Sequence, residues 1–335
     1  MTTTSLPTVP LGLTDMTITR VGFGAWAVGG PWAAGWGPQD DAESVAAIRH
    51  AVELGVNWID TAPAYGAGHS EETIATALAD LPEDDRPLVF TKCGLVFVDG
   101  DPNRPPQRVL TAGSIRAEVE ESLRRLRTER LDLLQVHWPA QDGPPLEEYW
   151  GTLATLREEG KVRAIGLSNH DRGQLDAAES VAHVDTLQPH FSAIARTAAA
   201  EMLPWCREHA TGVIVYSPME SGLLTGKYDE VSVAALPADD WRRRSPHFTT
   251  KLEASRTVAS ALARVAERHG VSAAAAAVAW TLAWPGVTGA IVGARNAAQV
   301  DGWVAAAGLE LTAADLDDVA AAIADGGAGR GPGRP

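Results

Sequence analysis

Eight times along this chain a short apolar run is followed by a longer segment with helical spacing. The runs occupy residues 21–24, 56–59, 88–91, 131–136, 162–167, 184–187, 213–216 and 290–292. The segments between them place apolar residues at i, i+3, i+4 and i+7, as Val45, Ile48 and Val52 do. Strands that alternate with helices pair in parallel, because every return to the sheet needs a crossover. Strands that are apolar almost throughout are covered on both faces. Eight such units in a chain of 335 residues predict a (β/α)8 TIM barrel, with a parallel eight-stranded core, as a single domain over 1–325. An open doubly wound sheet is the rival, and the regularity of eight units favours closure.

Two more helical segments do not fit the alternation, one over about 251–269 and one opening at Thr312. Asp315 stands three residues after Thr312, as in a capping box. Residues 226–250 read as a long polar loop, of the kind that carries function or moves. The tail 326–335, GGAGRGPGRP, has the composition of a disordered segment.

Charge narrows the partners. With 28 basic against 43 acidic residues the chain carries −15, which offers nothing to nucleic acid or an anionic membrane in bulk. Two cysteines, Cys93 and Cys206, make no disulfide framework and fit a reducing compartment. The opening MTTTSLPTVPLG has neither a basic nor an apolar region of a signal peptide, and no window reaches the apolar length of a membrane span. The expectation is a cytoplasmic protein acting on small molecules.

In such barrels chemistry sits at the carboxyl ends of the strands. There the sequence places Asp60 and then Tyr65 after the second run, Lys92 after the third and His137 after the fourth. The fifth ends in Ser168-Asn169, the sixth in Gln188 and the seventh in Tyr216-Ser217. Singly, each has a plain structural explanation: a helix cap, a snorkelling lysine, a packed tyrosine, a satisfied barrel histidine. Together they converge on one mouth.

The set also makes chemical sense. A phenol is a poor proton donor at neutral pH, and a neighbouring ammonium is expected to lower its pKa. A buried lysine needs a counterion, which Asp60 can supply. A histidine can polarise the oxygen that the phenol protonates. This is an acid with no nucleophile beside it, so the attack on carbon falls to a cofactor, with hydride the obvious candidate.

These residues resemble the aldo-keto reductase family over roughly 10–310, in its bacterial branch with a short carboxy-terminal loop. "GVNWIDTAPAYG", "FTKCG" and "LLQVHWP" are similar to the family's tetrad, carried here by Asp60, Tyr65, Lys92 and His137. The resemblance implies NADPH-dependent reduction of an aldehyde or ketone, sugar-like or small aliphatic, with Tyr65 as general acid. It implies amide contacts from Ser168 and Asn169 in "KVRAIGLSNH", a grip completed by Gln188, and Tyr216 stacked on the nicotinamide. Ser217, Pro218, Gly222 and Leu223 match the run along the pyrophosphate. "IVGARNAAQV" resembles the adenosine 2′-phosphate loop, with Gly293, Ala294, Arg295 and Gln299 as contacts. Arg295 would meet the phosphate, beside a helix start near Asn296. Trp303 stands where the branch commonly has an adenine-contacting asparagine. Gly24, Ala25 and Trp26 complete the expected cofactor contacts, and Trp26, Trp32 and Trp138 are expected to wall the substrate pocket. The run Arg242, Arg243, Arg244 reads as a solvated charge cluster.

Two other functions compete. One is a cofactor-sensing regulatory subunit, as some relatives are for channels. The other is a barrel lyase using Lys92 as a Schiff base. The histidines form no ligand-spaced group, so no metal is expected.

Overall fold

The computed structural model describes residues 6–97, 99–238 and 240–335; the first five residues of the N-terminal segment read above lie outside them. Twelve strands are described: β1 (Thr8–Pro10), β2 (Thr17–Thr19), β3 (Val21–Gly24), β4 (Trp58–Asp60), β5 (Leu88–Cys93), β6 (Leu95–Val96), β7 (Gln107–Arg108), β8 (Leu131–Val136), β9 (Val162–Ser168), β10 (Thr186–Gln188), β11 (Gly212–Val215) and β12 (Gly289–Gly293). Eight of them, β3, β4, β5, β8, β9, β10, β11 and β12, close into an all-parallel barrel in chain order. They are the eight runs read from the sequence, shifted by at most a few residues at the ends.

The crossovers are α1 (Asp41–Glu53), α2 (His69–Leu78), α3 (Ala112–Leu126), α4 (Leu146–Glu158), α5 (Arg172–Glu179) and α6 (Met202–Glu208), then α7 (Glu230–Ala234), α8 (Leu252–His269) and α9 (Ala273–Leu282) between β11 and β12; α10 (Ala297–Asp301) and α11 (Ala313–Gly326) follow the last strand. The expected capping box of α11 forms, with Thr312 and Asp315 bonded reciprocally. Asp315 also accepts from Arg268 and His269 at the end of α8, which ties the two extra helices together and holds its carboxyl far below the usual range despite burial.

Barrel strands have two buried faces, and each carries its own cluster. Outward residues such as Ile59, Leu134, Ile165 and Leu187 pack under the helices. Inward residues Trp58, Phe90, Leu133, Ala164, Ile214 and Ile291 fill the interior with Leu11, Met16 and Ile18. The last three come from the antiparallel β1–β2 hairpin, which lies across the amino end of the barrel and takes the Trp58 indole N–H on Thr19 O at 2.8 Å. Trp58 lies so close over β3 that a Cβ on Gly22 would stand 2.2 Å from its ring. This floor was not read from the sequence, where three-residue strands leave no period.

Two expectations change. The tail beyond α11 is packed, not loose: Ala328 is buried, and Arg196 holds the tail through its N–H to Arg330 O (3.2 Å) and its Nε to Pro332 O (2.9 Å). Residues 226–250 are not only a polar loop. They contain α7, and Trp241 and Phe248 pack edge to face with centroids 5.9 Å apart. No helix among the described residues is long and apolar enough to cross a membrane.

Candidate active site

Side chains two apart on a strand share a face, so Asp60 follows Trp58 into the barrel, Lys92 follows Phe90, and Gln135 follows Leu133. The upper inward layer is therefore polar. Lys92 Nζ donates to Asp60 Oδ1 at 2.5 Å and to Thr61 O at 2.9 Å, and reaches Tyr65 Oη at 3.4 Å. Gln188 Nε2 donates to the other oxygen of Asp60 at 2.8 Å, with Gln135 Nε2 at 3.5 Å. Asp60 and Lys92 are both buried, and such a pair survives only when its remaining lone pairs are satisfied, as they are here. Gln135 was missed in the sequence, although it stands in phase with His137 in "LLQVHW".

Tyr65 gets its position from a turn. Its N–H bonds to Ala62 O at 3.0 Å, and the chain then swings back through Gly66 at φ 66°. A Cβ on Gly66 would sit 2.0 Å from Gly29 O, so the turn lies directly on the loop after β3. The phenol ring meets His137 edge to face, with centroids 5.8 Å apart, and Trp32 at 6.1 Å. Tyr65 and His137 are only partly buried, at the open end of the polar layer.

Electrostatics at the mouth differ from the expectation in one respect. Burial, and secondly the Asp60 carboxylate, hold the Tyr65 phenol well above its ordinary pKa. Lys92, 3.4 Å away, does not bring it back to the ordinary value, because its charge is largely engaged by Asp60. Burial lowers the pKa of Lys92 and raises that of Asp60, each opposed by the other's charge. Burial, then the Lys92 ammonium, push His137 well below its usual range, so it is a neutral imidazole.

Beside this layer the expected nicotinamide residues form a connected shelf. Asn169, at φ 62°, donates to His137 O (2.9 Å) and to Ser168 Oγ (3.1 Å), and accepts from Tyr216 Oη (2.8 Å). Ser168 Oγ donates to Gln188 O at 2.9 Å. Tyr216 lies parallel to His190, a residue the sequence did not flag, with centroids 5.1 Å and planes 16° apart. After Tyr216 the backbone turns through positive φ at Ser217, Glu220, Ser221 and Gly222, carrying Pro218 and on to the buried Leu223.

Across the barrel, Gly24 pairs with Gly293 at the ends of β3 and β12, followed by the buried Ala25 and Ala294. Arg295 donates its Nε to Gln39 Oε1 (2.6 Å) and its Nη2 to Pro38 O (2.5 Å), both neutral acceptors. Its backbone N–H is taken by Gln299 Oε1, and Gln299 N by Asn296 Oδ1, so the start of α10 is already capped from within. Trp303 is buried, 1% exposed, and packs in the core, not at the groove.

Of the pocket tryptophans, Trp32 reaches Tyr65 and Phe97, and Trp138 lies under Arg108, whose guanidinium carbon is 5.0 Å from the ring centre. Trp26 instead joins Trp36 and Trp241, at 5.4 and 6.5 Å, so the 226–250 segment leans on the loop after β3. Arg242 departs from the solvated reading: its guanidinium carbon stands 4.6 Å over Trp36, and the group is paired with Asp240 and bonded to Tyr228. Arg243 and Arg244 are exposed.

Comparison with known proteins gives this arrangement its context. The curated aldo-keto reductase YhdN of Bacillus subtilis (strain 168) is 34% identical over 91% of this chain and 90% of its own. A protein of Escherichia coli (strain K12) named NADH-specific methylglyoxal reductase is 35% identical over 92% and 95%. The solved glycerol dehydrogenase of Gluconobacter oxydans superposes with a TM-score of 0.87, at 37% identity over 97% of this chain and 96% of that one. The model of the aldo/keto reductase family matches residues 20–324, and with these relatives it establishes that the chain is a member of the aldo/keto reductase family of nicotinamide-dependent oxidoreductases.

Proposed function

We propose that the protein reduces an aldehyde or ketone to the alcohol with NADPH, in the cytoplasm, with Tyr65 as the proton donor. The observation that carries this reading is the Tyr65 phenol, held protonated at the open mouth 3.4 Å from Lys92 Nζ. Bound NADPH supplies the hydride. As the carbonyl carbon is reduced, its oxygen becomes alkoxide-like and far more basic than a phenolate, so even a phenol of raised pKa gives up its proton downhill. The ammonium of Lys92 then stabilises the phenolate that Tyr65 becomes, and the neutral His137 donates a hydrogen bond to the same oxygen.

Arg295 supports NADPH over NADH. Its guanidinium is pre-oriented by two neutral acceptors, and a 2′-phosphate adds the anion it lacks there. Trp32, which meets both Tyr65 and Phe97, gives the mouth an aromatic wall suited to a small carbonyl. The Schiff-base alternative loses ground because Lys92 directs its three donors at Asp60, Thr61 and Tyr65.

The test is turnover of Tyr65→Phe on a panel of small aldehydes with NADPH and NADH. A loss of about 10²–10⁴ in kcat is expected, the range of a missing general acid. Near-normal reduction by that variant sinks the mechanism. Arg295→Ala is expected to raise KM for NADPH about tenfold or more with little change for NADH, as loss of a charged contact would. An equal effect on both cofactors removes the NADPH assignment and leaves the carbonyl reduction standing.

A further inference from the structure

The tail beyond α11 and the shelf at Tyr216 are joined by one chain of contacts. Arg196 is 2% exposed, and three of its groups fix its neighbours: N–H to Arg330 O at 3.2 Å, Nε to Pro332 O at 2.9 Å and Nη1 to Ala193 O at 2.5 Å. The tail is pressed onto this loop. A Cβ on Gly329 would sit 2.1 Å from Ile194 O, and one on Gly331 would sit 2.3 Å from Arg196 O. Gly329 and Gly331 have φ of 69° and 101°, which other residues adopt only with strain. Outside, Arg334 Nε donates to Asp317 on α11 at 2.6 Å, which anchors the far end of the tail.

The other end of the same loop carries the shelf. Residues 190–196 turn on Ser192, whose N–H meets Ala195 O at 3.0 Å and whose Oγ donates to Glu220 Oε1 at 2.6 Å. Glu220 also holds His190 Nε2 at 2.7 Å, and His190 lies flat against Tyr216. Phe191 N–H donates to Tyr216 O at 3.2 Å, and Tyr216 N–H to Pro189 O at 3.1 Å. Burial alone would depress the His190 imidazole, but Glu220 offsets this and leaves its pKa raised.

We propose that residues 327–335 act as a strap which, through Arg196, fixes the 189–196 loop and thereby the orientation of Tyr216, making Arg196 and the tail positioning elements for nicotinamide binding. The inference rests on reading Tyr216 as the nicotinamide shelf. A glycine-rich tail suits such a strap. It carries little surface of its own, yet its backbone can lie within van der Waals contact of a buried loop and offer one carbonyl to a buried guanidinium and another to the backbone N–H of the same residue. A buried arginine without those carbonyls would leave donors unpaired, so the loop and tail are expected to order together.

The experiment compares a truncation after Gly326 and a Gly331→Val variant with Tyr216→Ala, all as full barrels, measuring NADPH Kd by quenching of tryptophan fluorescence, KM for cofactor and aldehyde, and Tm. Both tail variants are expected to weaken NADPH binding by up to about tenfold, the value of one aromatic stacking contact, with aldehyde KM and the fold little changed. Arg196→Lys, which keeps the charge and the backbone N–H but has one side-chain nitrogen where Arg196 uses two, is expected to fall between. Folded tail variants that bind NADPH as the wild type does, while Tyr216→Ala binds weakly, overturn the strap and leave the shelf intact. Wild-type affinity in Tyr216→Ala overturns the shelf and the strap with it. Collapse of the barrel in both tail variants also overturns the proposal, because a strap acts locally.

Discussion

Two layers of side chains fill the barrel, built by the same strands one pleat apart. The lower layer is Trp58, Phe90 and Leu133; the upper is Asp60, Lys92 and Gln135. In the lower layer burial is stabilising by itself, and shape decides how much, as the close approach of Trp58 to Gly22 shows. In the upper layer burial works against every group present, and only mutual hydrogen bonds make it tolerable. The difference teaches where this molecule keeps its stability and where it gives some up for chemistry.

Breaking the upper layer on one side has the largest expected effect. Lys92→Met leaves the Asp60 carboxylate buried without its cation, at about 3–5 kcal/mol in urea unfolding. The double variant Asp60→Asn with Lys92→Met is expected to recover most of that stability while turnover stays lost. A double variant as unstable as the single would show that the pair is a net stabiliser and erase the contrast between the layers. Trp58→Ala comes next, with about 3–5 kcal/mol lost in the same assay but KM for aldehyde nearly unchanged in the folded fraction. A large change in KM there would mean that the layers are coupled.

Titration gives the smaller effects. Tyr65 is held above its ordinary pKa and His137 below its own, so neither changes form near neutrality. The kcat for reduction should therefore stay flat from about pH 6.5 to 9. A steep fall within that window would return Tyr65 to the lowered pKa expected from sequence. Glu118 is the exception nearby: burial raises it to about 7 while it accepts the Gly94 N–H at 3.0 Å, two residues beyond Lys92. Its folded pKa lies above its unfolded one, so it stabilises most when protonated, and that contribution is lost as pH rises through about 7. Glu118→Gln should remove this slope from stability measured between about pH 5 and 8. A slope that persists in the variant assigns it to another group.

The barrel, and the convergence of Asp60, Tyr65, Lys92 and His137 at one mouth, were legible because both depend on period and spacing. Asp60 and Lys92 fall at strand ends in the inward phase, and no tertiary knowledge is needed to see that they converge. The proton affinity of Tyr65 was not legible, because its sign depends on whether Lys92 is already engaged by Asp60 at 2.5 Å. Composition misled at the tail, where glycine marks close approach to Arg196 and not freedom. His190 lacked any signal, since its place against Tyr216 comes from a loop held by Ser192 and Glu220. Arg242 looked solvated because Trp36, its platform, lies in a distant part of the chain.

The β1–β2 hairpin has one more consequence. With Leu11, Met16 and Ile18 wedged beneath Trp58, the barrel is a cul-de-sac. Water, carbonyl and cofactor must use the same doorway, and whatever occupies it also cuts the ion pair below off from bulk solvent. Filling the doorway therefore lowers the local dielectric around Asp60 and Lys92 and strengthens their hold on each other.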